Sequence, residues 1–471
     1  MAVETYTILP TNKYNRPPPP STIALHGLDL LNPPIQIHNH RFYHRPTNTT
    51  SDVIHKLKSS LAEALELYPP VAGTVQANEE GEPYIAMDAE NILGTPFLVN
   101  MKDTPYAGDT EDLSPRTVML LPPSSSTLAV KVTQFSCGTI AVAASIHHQV
   151  ADLRGFLDFL ELWAQLARGE AVDFTKIPDD WSHNPGRFFP GLISESTVPT
   201  SPPPPFMVLP APATGPPPFL LAPSEITRWK FTKSSMERLK SDFSPSASAS
   251  ASSKEHKSDL WISSGDALAA LLCGVITRAR NNANVARLQG RSSLESQTEE
   301  IAMAANGRDR SPLDMSGRYF GNFNTLWSAT VSRADLSSPI CESGSRVALA
   351  IRNALNLQLS PEAIAYKISF FEAPQNTQPP GRIDWFADII LTNWCQFDLQ
   401  GPKLDFGWGK PFCATAGGGS VYPPGYCMMT QEKDSGDVFV MMTVEKEGAD
   451  GLKADSLLNK YATPVPVHPS C

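Results

Sequence analysis

No run of about 18 apolar residues without charge, the length a helix needs to cross a bilayer, occurs in this sequence. A membrane span is therefore not expected. The first residues, Met1-Ala2-Val3-Glu4-Thr5, offer neither a basic cluster nor an apolar core, so no secretory signal is visible. Cysteine is sparse. Seven residues, spread singly from Cys137 to Cys471 with no CxxC pair, fit reduced thiols in a cytoplasmic protein. Positive charge is in deficit as well. Thirty-eight Lys and Arg against 48 Asp and Glu leave a net charge of −10, which argues against nucleic acid as a partner, because phosphate binding needs clustered cations. Several catalytic signatures are also missing. Without GxSxG there is no nucleophile elbow of the α/β-hydrolase kind. Without GxGxxG or GxxxxGK[ST] there is no common phosphate cradle, and without HExxH zinc-peptidase chemistry has no anchor.

What remains is large enough for two cores. The chain has 471 residues, of which 41% are hydrophobic, and two domains of roughly 200 residues are the default at this length. Proline is plentiful, with 44 residues, and its clustering marks a boundary. Between Pro199 and Pro223 the runs Ser-Pro-Pro-Pro-Pro, Pro-Ala-Pro and Gly-Pro-Pro-Pro can continue neither a helix nor a central strand. Residues 1–198 and 226–471 are thus expected as two domains, with 199–225 as a stiff crossover. Ser244 to Ser253, a Ser/Ala repeat, reads as a surface loop. Residues 1–20 read as an extended arm ending in Pro17–Pro20.

Helices and strands alternate in both halves, which favours an α/β or α+β protein. Residues 35–44 alternate well enough for a strand. It carries His38, His40 and His44, but no Cys or acid lies close by, so a polar strand face is expected there and no metal site. Ser51-Asp52 offers cap chemistry for a helix that stops at Tyr68-Pro69-Pro70. Strands are expected at Tyr84–Met87, Leu128–Thr133, Ile226–Phe231, Ile301–Asn306, Leu326–Val331, Ile389–Thr392 and Val438–Val444. Helices are expected over Ser235–Lys240, from Ser263 or Ser264 to Arg280, from Ser343 to about Leu357, and near Gly451–Lys460.

One junction invites chemistry. An apolar, strand-like run, Thr139 to Ala144, gives way to an amphipathic helical pattern from Leu153 to Arg168, closed by Gly169. Between them lies Ile146-His147-His148-Gln149-Val150-Ala151-Asp152. Imidazole, with an ordinary pKa of about 6.5, can take a proton near neutral pH. A histidine beside an apolar strand is also compatible with a purely structural role. Far downstream, Asp405-Phe406-Gly407-Trp408-Gly409-Lys410-Pro411 sets two glycines around a tryptophan, which reads as a special turn answering backbone demands.

Taken together, His148-Gln149-Val150-Ala151-Asp152 as HxxxD and Asp405–Gly409 as DFGWG resemble the BAHD acyltransferases of plants and fungi. Softer likenesses extend over nearly the whole chain. Leu67–Gly73 is similar to the family's YPLAG turn, and Asn306-Gly307-Arg308 with Tyr319-Phe320-Gly321-Asn322 to its (N/D)xR…YFGN segment. Thr392-Asn393-Trp394 is similar to its TSW. The sequence departs where Leu153 follows Asp152 in place of the usual glycine, a change to the pocket floor or the helix start. The Pro-rich crossover, the Ser/Ala loop and Asn393 look more like the fungal secondary-metabolism branch.

The resemblance implies an α/β fold of two chloramphenicol-acetyltransferase-like domains, each a mixed sheet with flanking helices. It implies an acyltransferase of EC 2.3.1 type, acting as a monomer. An acyl group would pass from an acyl-CoA co-substrate to a hydroxyl, less readily an amine, of a small secondary metabolite, with no permanently bound cofactor and no metal. His148 would be the general base, and Thr392 and Trp394 the oxyanion donors. Asp152 would form a structural ion pair, with Arg308 as its best partner. Asp405, Gly407 and Gly409 would brace the fold, Asp405 in another ion pair. Lys233, Ser234 and Ser235 would meet the coenzyme A phosphates, and His147 would pack or tune. Two rivals stand beside this reading. A condensation-type domain shares the fold and would take acyl groups from carrier proteins. A catalytically silent binding protein could keep the fold alone.

Overall fold

The computed structural model describes residues 3–467 except 26, 48, 89–91, 109–111, 119, 194–197, 210–222, 246–260, 284–296, 374–375, 377–381, 386 and 417–421. Most of the Ser/Ala repeat, and residues 210–222 of the Pro-rich crossover, lie outside the described residues.

Two mixed sheets organise the chain. The first is built from β1 (Glu4–Ile8), β2 (Gln36–Tyr43), β3 (Thr95–Lys102), β4 (Leu128–Phe135) and β5 (Ile140–His147). The second uses β6 (Ser224–Phe231), β7 (Thr298–Asn306), β8 (Asn324–Ser332), β9 (Ile389–Asn393), β11 (Tyr426–Gln431), β12 (Val438–Glu445) and β13 (Thr463–Val465), in the order β8-β7-β9-β11-β12-β6-β13. One strand crosses over. Cys413–Thr415 (β10), late in the chain, pairs antiparallel with β2, so the first sheet runs β1-β3-β4-β5-β2-β10.

The expected N-terminal arm contributes an edge strand, Glu4–Ile8 pairing with Thr95–Val99 of β3. That partner strand had not been anticipated, although its first residues alternate between buried and half-buried. The 35–44 strand is present, but it is central, with all eight residues of β2 buried. A polar strand can be central only if its side chains find partners. His38 Nδ1 lies 2.6 Å from Ser145 Oγ, His40 Nε2 lies 3.2 Å from Ser114 Oγ, and Gln36 donates to the Val118 carbonyl at 2.9 Å. The segment around residues 114–118 thus covers the polar face expected of this strand. No cluster of His, Cys, Asp or Glu suited to a metal occurs among the described residues.

Helix α1 (Thr50–Leu67) is capped by Thr49, two residues before Ser51, through a 3.3 Å bond from the Asp52 N–H. It buries Val53, Leu57, Leu61, Ala64 and Leu65 against the first sheet and stops at Tyr68 before two prolines. Helix α2 (Leu153–Ala167) starts at the histidine junction and packs on α1, burying Phe156, Phe159, Leu160 and Trp163. The second sheet is covered by α3 (Lys233–Phe243), α4 (Ser264–Asn282) and α5 (Cys341–Gln358), while α6 (Pro361–Glu372) packs in a separate cluster with Phe188, Phe189, Tyr319 and Phe323. Ser263 and Asp266 form a reciprocal capping box on α4. The helix expected near Gly451–Lys460 is broken into Ala449–Lys453 and Ser456–Tyr461. The cause is Asp455, which caps the second piece through the Leu458 N–H and meets Arg278 at 2.7 Å. Within the Pro-rich stretch, Phe206–Leu209 pairs antiparallel with Arg382–Trp385. No helix among the described residues is long and apolar enough to cross a membrane.

Candidate active site

The strand-to-helix junction is held by its own backbone. His147 N–H donates to the Thr127 carbonyl, His148 N–H to that of Ile35, and Val150 N–H to that of His147. The turn then hands over to Asp152, the cap of α2, whose Oδ1 accepts from the Gly155 N–H at 3.0 Å. Asp152 Oδ2 accepts from Arg308 Nη1 at 2.7 Å and from the Phe323 N–H at 2.8 Å. Burial would push this carboxyl up. The Arg308 guanidinium and the two backbone donors outweigh burial and hold it below the ordinary range. Arg308 also donates to the Gly321 carbonyl at 2.8 Å and lies over the Tyr319 ring. With each oxygen so committed, Asp152 braces α2 against the segment before β8 and does not orient His148.

His148 meets another group. Its Nδ1 lies 3.2 Å from Asn322 Oδ1, and the Asn322 amide donates to the His148 carbonyl at 2.7 Å. Burial lowers the imidazole pKa, opposed by its own backbone carbonyl, Asp152, Asn322 and Asp29. The ring is half-buried and lines a cavity of about 710 Å³ between the two sheets. That volume lies in the range of small-molecule sites. His147 is buried beside it, and its Nδ1 accepts from the Gln149 N–H at 3.2 Å. Burial, Arg116 and His148 together lower its pKa to about 4. It does not line the cavity.

Thr392 and Trp394, at the end of β9 and just past it, line the same cavity as His148. Thr392 Oγ1 accepts from Tyr426 Oη at 3.0 Å, which leaves the threonine hydrogen free to donate elsewhere. Tyr426 also lines the cavity, and burial pushes its phenol pKa up, so it stays a donor. Leu153 is both the first residue of α2 and part of the cavity wall, so the departure from glycine reaches both expected places.

The remaining sequence candidates sit elsewhere. Lys233, Ser234 and Ser235 form the exposed start of α3, capped by Thr232, and none lines the cavity. The Asp437 carboxylate already takes the Lys233 N–H at 3.0 Å and pairs with Lys230 at 2.8 Å. The DFGWG segment also lies outside the cavity lining. Phe406 packs edge-on against Trp163 and Tyr43, Trp408 stacks on Phe406, and Tyr43 Oη donates to the Leu404 carbonyl. The expected ion pair of Asp405 is absent among the described residues. Instead, Asp405 Oδ1 accepts from the N–H groups of Gly407, Trp408 and Gly409 at 2.6, 2.9 and 2.9 Å. The two glycines sit at φ +102° and +104°, which lets the turn curl its donors onto one oxygen. A carboxylate so occupied needs no cation.

Asn322, buried against His148, and Tyr426, which lines the cavity, are the groups that sequence reasoning did not assign. Asn322 stood only as the last letter of a family-like segment. Tyr426 reaches Thr392 through parallel pairing of β9 and β11, which no local pattern encodes.

Comparison with known proteins fits this geometry. Residues 2–456 match the family model described as Transferase family. Taxadien-5-alpha-ol O-acetyltransferase of Taxus cuspidata is 36% identical over 135 residues, spanning 26% of this chain and 30% of that protein. A longer match, 25% identical and covering 80% of this chain and 82% of the other, is to shikimate O-hydroxycinnamoyltransferase of Nicotiana tabacum. Among solved structures, F. graminearum TRI101 complexed with ethyl coenzyme A superposes with a TM-score of 0.72 at 18% identity, covering 94% of this chain and 99% of that one. The fold is thus the two-domain, chloramphenicol-acetyltransferase-like α/β fold, and the chain belongs to the BAHD family of acyl-CoA-dependent acyltransferases.

Proposed function

We propose that this enzyme moves an acyl group from an acyl-CoA to a hydroxyl of a small secondary metabolite, with His148 as general base. The observation that supports the reading is the His148 ring itself. Nδ1 faces an amide oxygen, and the ring lines the cavity that also receives Thr392 and Trp394. An imidazole protonated at Nδ1 keeps a lone pair on Nε2, and that lone pair takes the acceptor's O–H proton as oxygen attacks the thioester carbon. The carbonyl oxygen gathers negative charge, which the Thr392 hydroxyl and Trp394 indole N–H stabilise. When the tetrahedral intermediate collapses, the C–S bond breaks and the leaving thiolate takes the proton back from the imidazolium. No enzyme-bound acyl group is formed. One chain supplies all of these groups.

Coenzyme A is the donor in this reading, its phosphates meeting Lys233, Ser234 and Ser235 at the exposed start of α3. The TRI101 complex with ethyl coenzyme A supports that choice by fold alone. Asp152 and Arg308 hold the junction and do no chemistry.

Replacing His148 with Ala is expected to lower turnover by at least about 100-fold while the melting temperature holds. Thiol release from acyl-CoA in the presence of an acceptor measures this without a carrier protein. Near-normal turnover in the folded variant would overturn the base. Turnover that appears only with carrier-bound acyl groups would overturn the donor. Because the His148 pKa is lowered, the ring is neutral at pH 7, and activity should fall on acidification only below about pH 6.5.

A further inference from the structure

We propose that Asn322, itself held by the buried carboxylate of Asp29, is the positioning residue that fixes the tautomer and orientation of His148. The proposal rests on reading His148 as the base, but its central claim concerns a proton position that can be observed without turnover.

Asn322 is fully buried, and its partners leave its amide one orientation. Nδ2 donates to Asp29 Oδ1 at 2.9 Å and to the His148 carbonyl at 2.7 Å. Both are acceptors. A flipped amide would set its own oxygen against two oxygens, so Oδ1 must be the atom 3.2 Å from His148 Nδ1. An amide oxygen can only accept. Nδ1 therefore carries the hydrogen, and Nε2 is left bare, which is the form a base needs.

The same asparagine grips the base at two points, its ring and its main-chain carbonyl. It is gripped in turn at two points, because Asp29 Oδ1 also accepts from the Asn322 backbone N–H at 3.0 Å. Asp29 Oδ2 accepts from His183 Nδ1 at 2.9 Å, and the side chains of Asp29 and His183 are both at 0% exposure. Asp29 lies in the short helix Gly27–Leu30, and His183 follows α2. Asn322 stands just before β8. Three segments distant in sequence thus converge on one imidazole.

This gives the fold two carboxylates near His148 with separate duties. Asp152 serves α2 and Arg308. Asp29 reaches the ring only through an amide, which transmits orientation without placing an anion against it. A carboxylate bonded directly to the ring would do more, stabilising the imidazolium by charge.

The test begins with the unaltered protein, labelled with ¹⁵N-histidine, using His148→Gln to assign the signal. The expected result is a protonated Nδ1 and a pyridine-type Nε2 on His148. A ring protonated at Nε2 would overturn the proposal, whatever the variants do. In Asn322→Ala, kcat is expected to fall roughly 10- to 1,000-fold, with KM for acyl-CoA within about threefold, and the tautomer preference should be lost. Asp29→Asn keeps an oxygen for both Asn322 donors, so it should lose less kcat than Asp29→Ala. Turnover within about twofold of the parent in folded Asn322→Ala would also overturn it. If His148→Ala stayed active, the base assignment would fail while the tautomer assignment stood.

Discussion

The two sheets bury polarity by different means. The first hides neutral imidazoles: His38 and His40 on β2 and His147 at the end of β5 are all nearly inaccessible. Every described histidine lies before Asn184. The second sheet and its helices hide paired ions instead. Arg278 meets Asp455 at 2.7 Å, Arg280 meets Glu445 at 3.0 Å, Arg333 meets Glu299 at 3.2 Å and Arg352 meets Asp266 at 2.5 Å. A buried ion pair keeps its charges near neutral pH, because each partner favours the other's ionised form. A buried imidazole must remain uncharged, which makes the first half the acid-sensitive one.

Acidification is the strongest way to separate the halves. Burial, aided by neighbouring cations, lowers the pKa of His38 to about 4, of His40 to about 3 and of His147 to about 4. The unfolded chain binds these protons below about pH 6.5, whereas the fold refuses them, so stability falls as pH drops from there toward 4. Hydrogen exchange at pH 7 and pH 5 should show β2 and β5 losing protection before β11 and β12. Simultaneous loss would break the contrast.

Single ion pairs give the next effect. Arg308→Met strands the buried Asp152 carboxylate at a cost of about 3–5 kcal/mol, and Arg280→Met does the same to Glu445. Both should lower the melting temperature. Only the first joins the two halves beside His148, so only it should also depress turnover of the protein that remains folded. Equal loss of turnover in both would show that the distinction is unsound. The smallest change expected is Asp405→Ala. It removes one acceptor from three N–H groups on a half-buried turn, worth about 1–2 kcal/mol, with kcat unchanged. A drop in kcat at constant melting temperature would give DFGWG a role beyond bracing.

Legibility in the sequence followed the range of the interaction. Helix α2 and strand β5 were readable because their patterns are local, although the Asp152 cap of α2, only three residues from its donor, was not among the sequence expectations. The Asp152–Arg308 pair, 156 residues apart, was nameable only through family likeness, and its two backbone donors not at all. Strand β2 was readable as a strand with a polar face, but periodicity reports which faces differ, not whether both are covered. Residues 114–118 decided that, from 70 or more positions away. Asp29 and His183 carried no signal. An acid in a four-residue helix and a histidine in a loop acquire meaning only when β8 places Asn322 between His148 and Asp29.

Strand β10 carries a consequence for how the molecule can be taken apart. It borders β2, the most polar strand of the first sheet, and pairs Cys413 with Phe42 and Thr415 with His40. A fragment ending in the Pro-rich crossover would lack it and would present a long unpaired strand, a template for intermolecular addition. The halves should therefore refold poorly alone and associate when expressed together. By this strand the second half completes the first sheet.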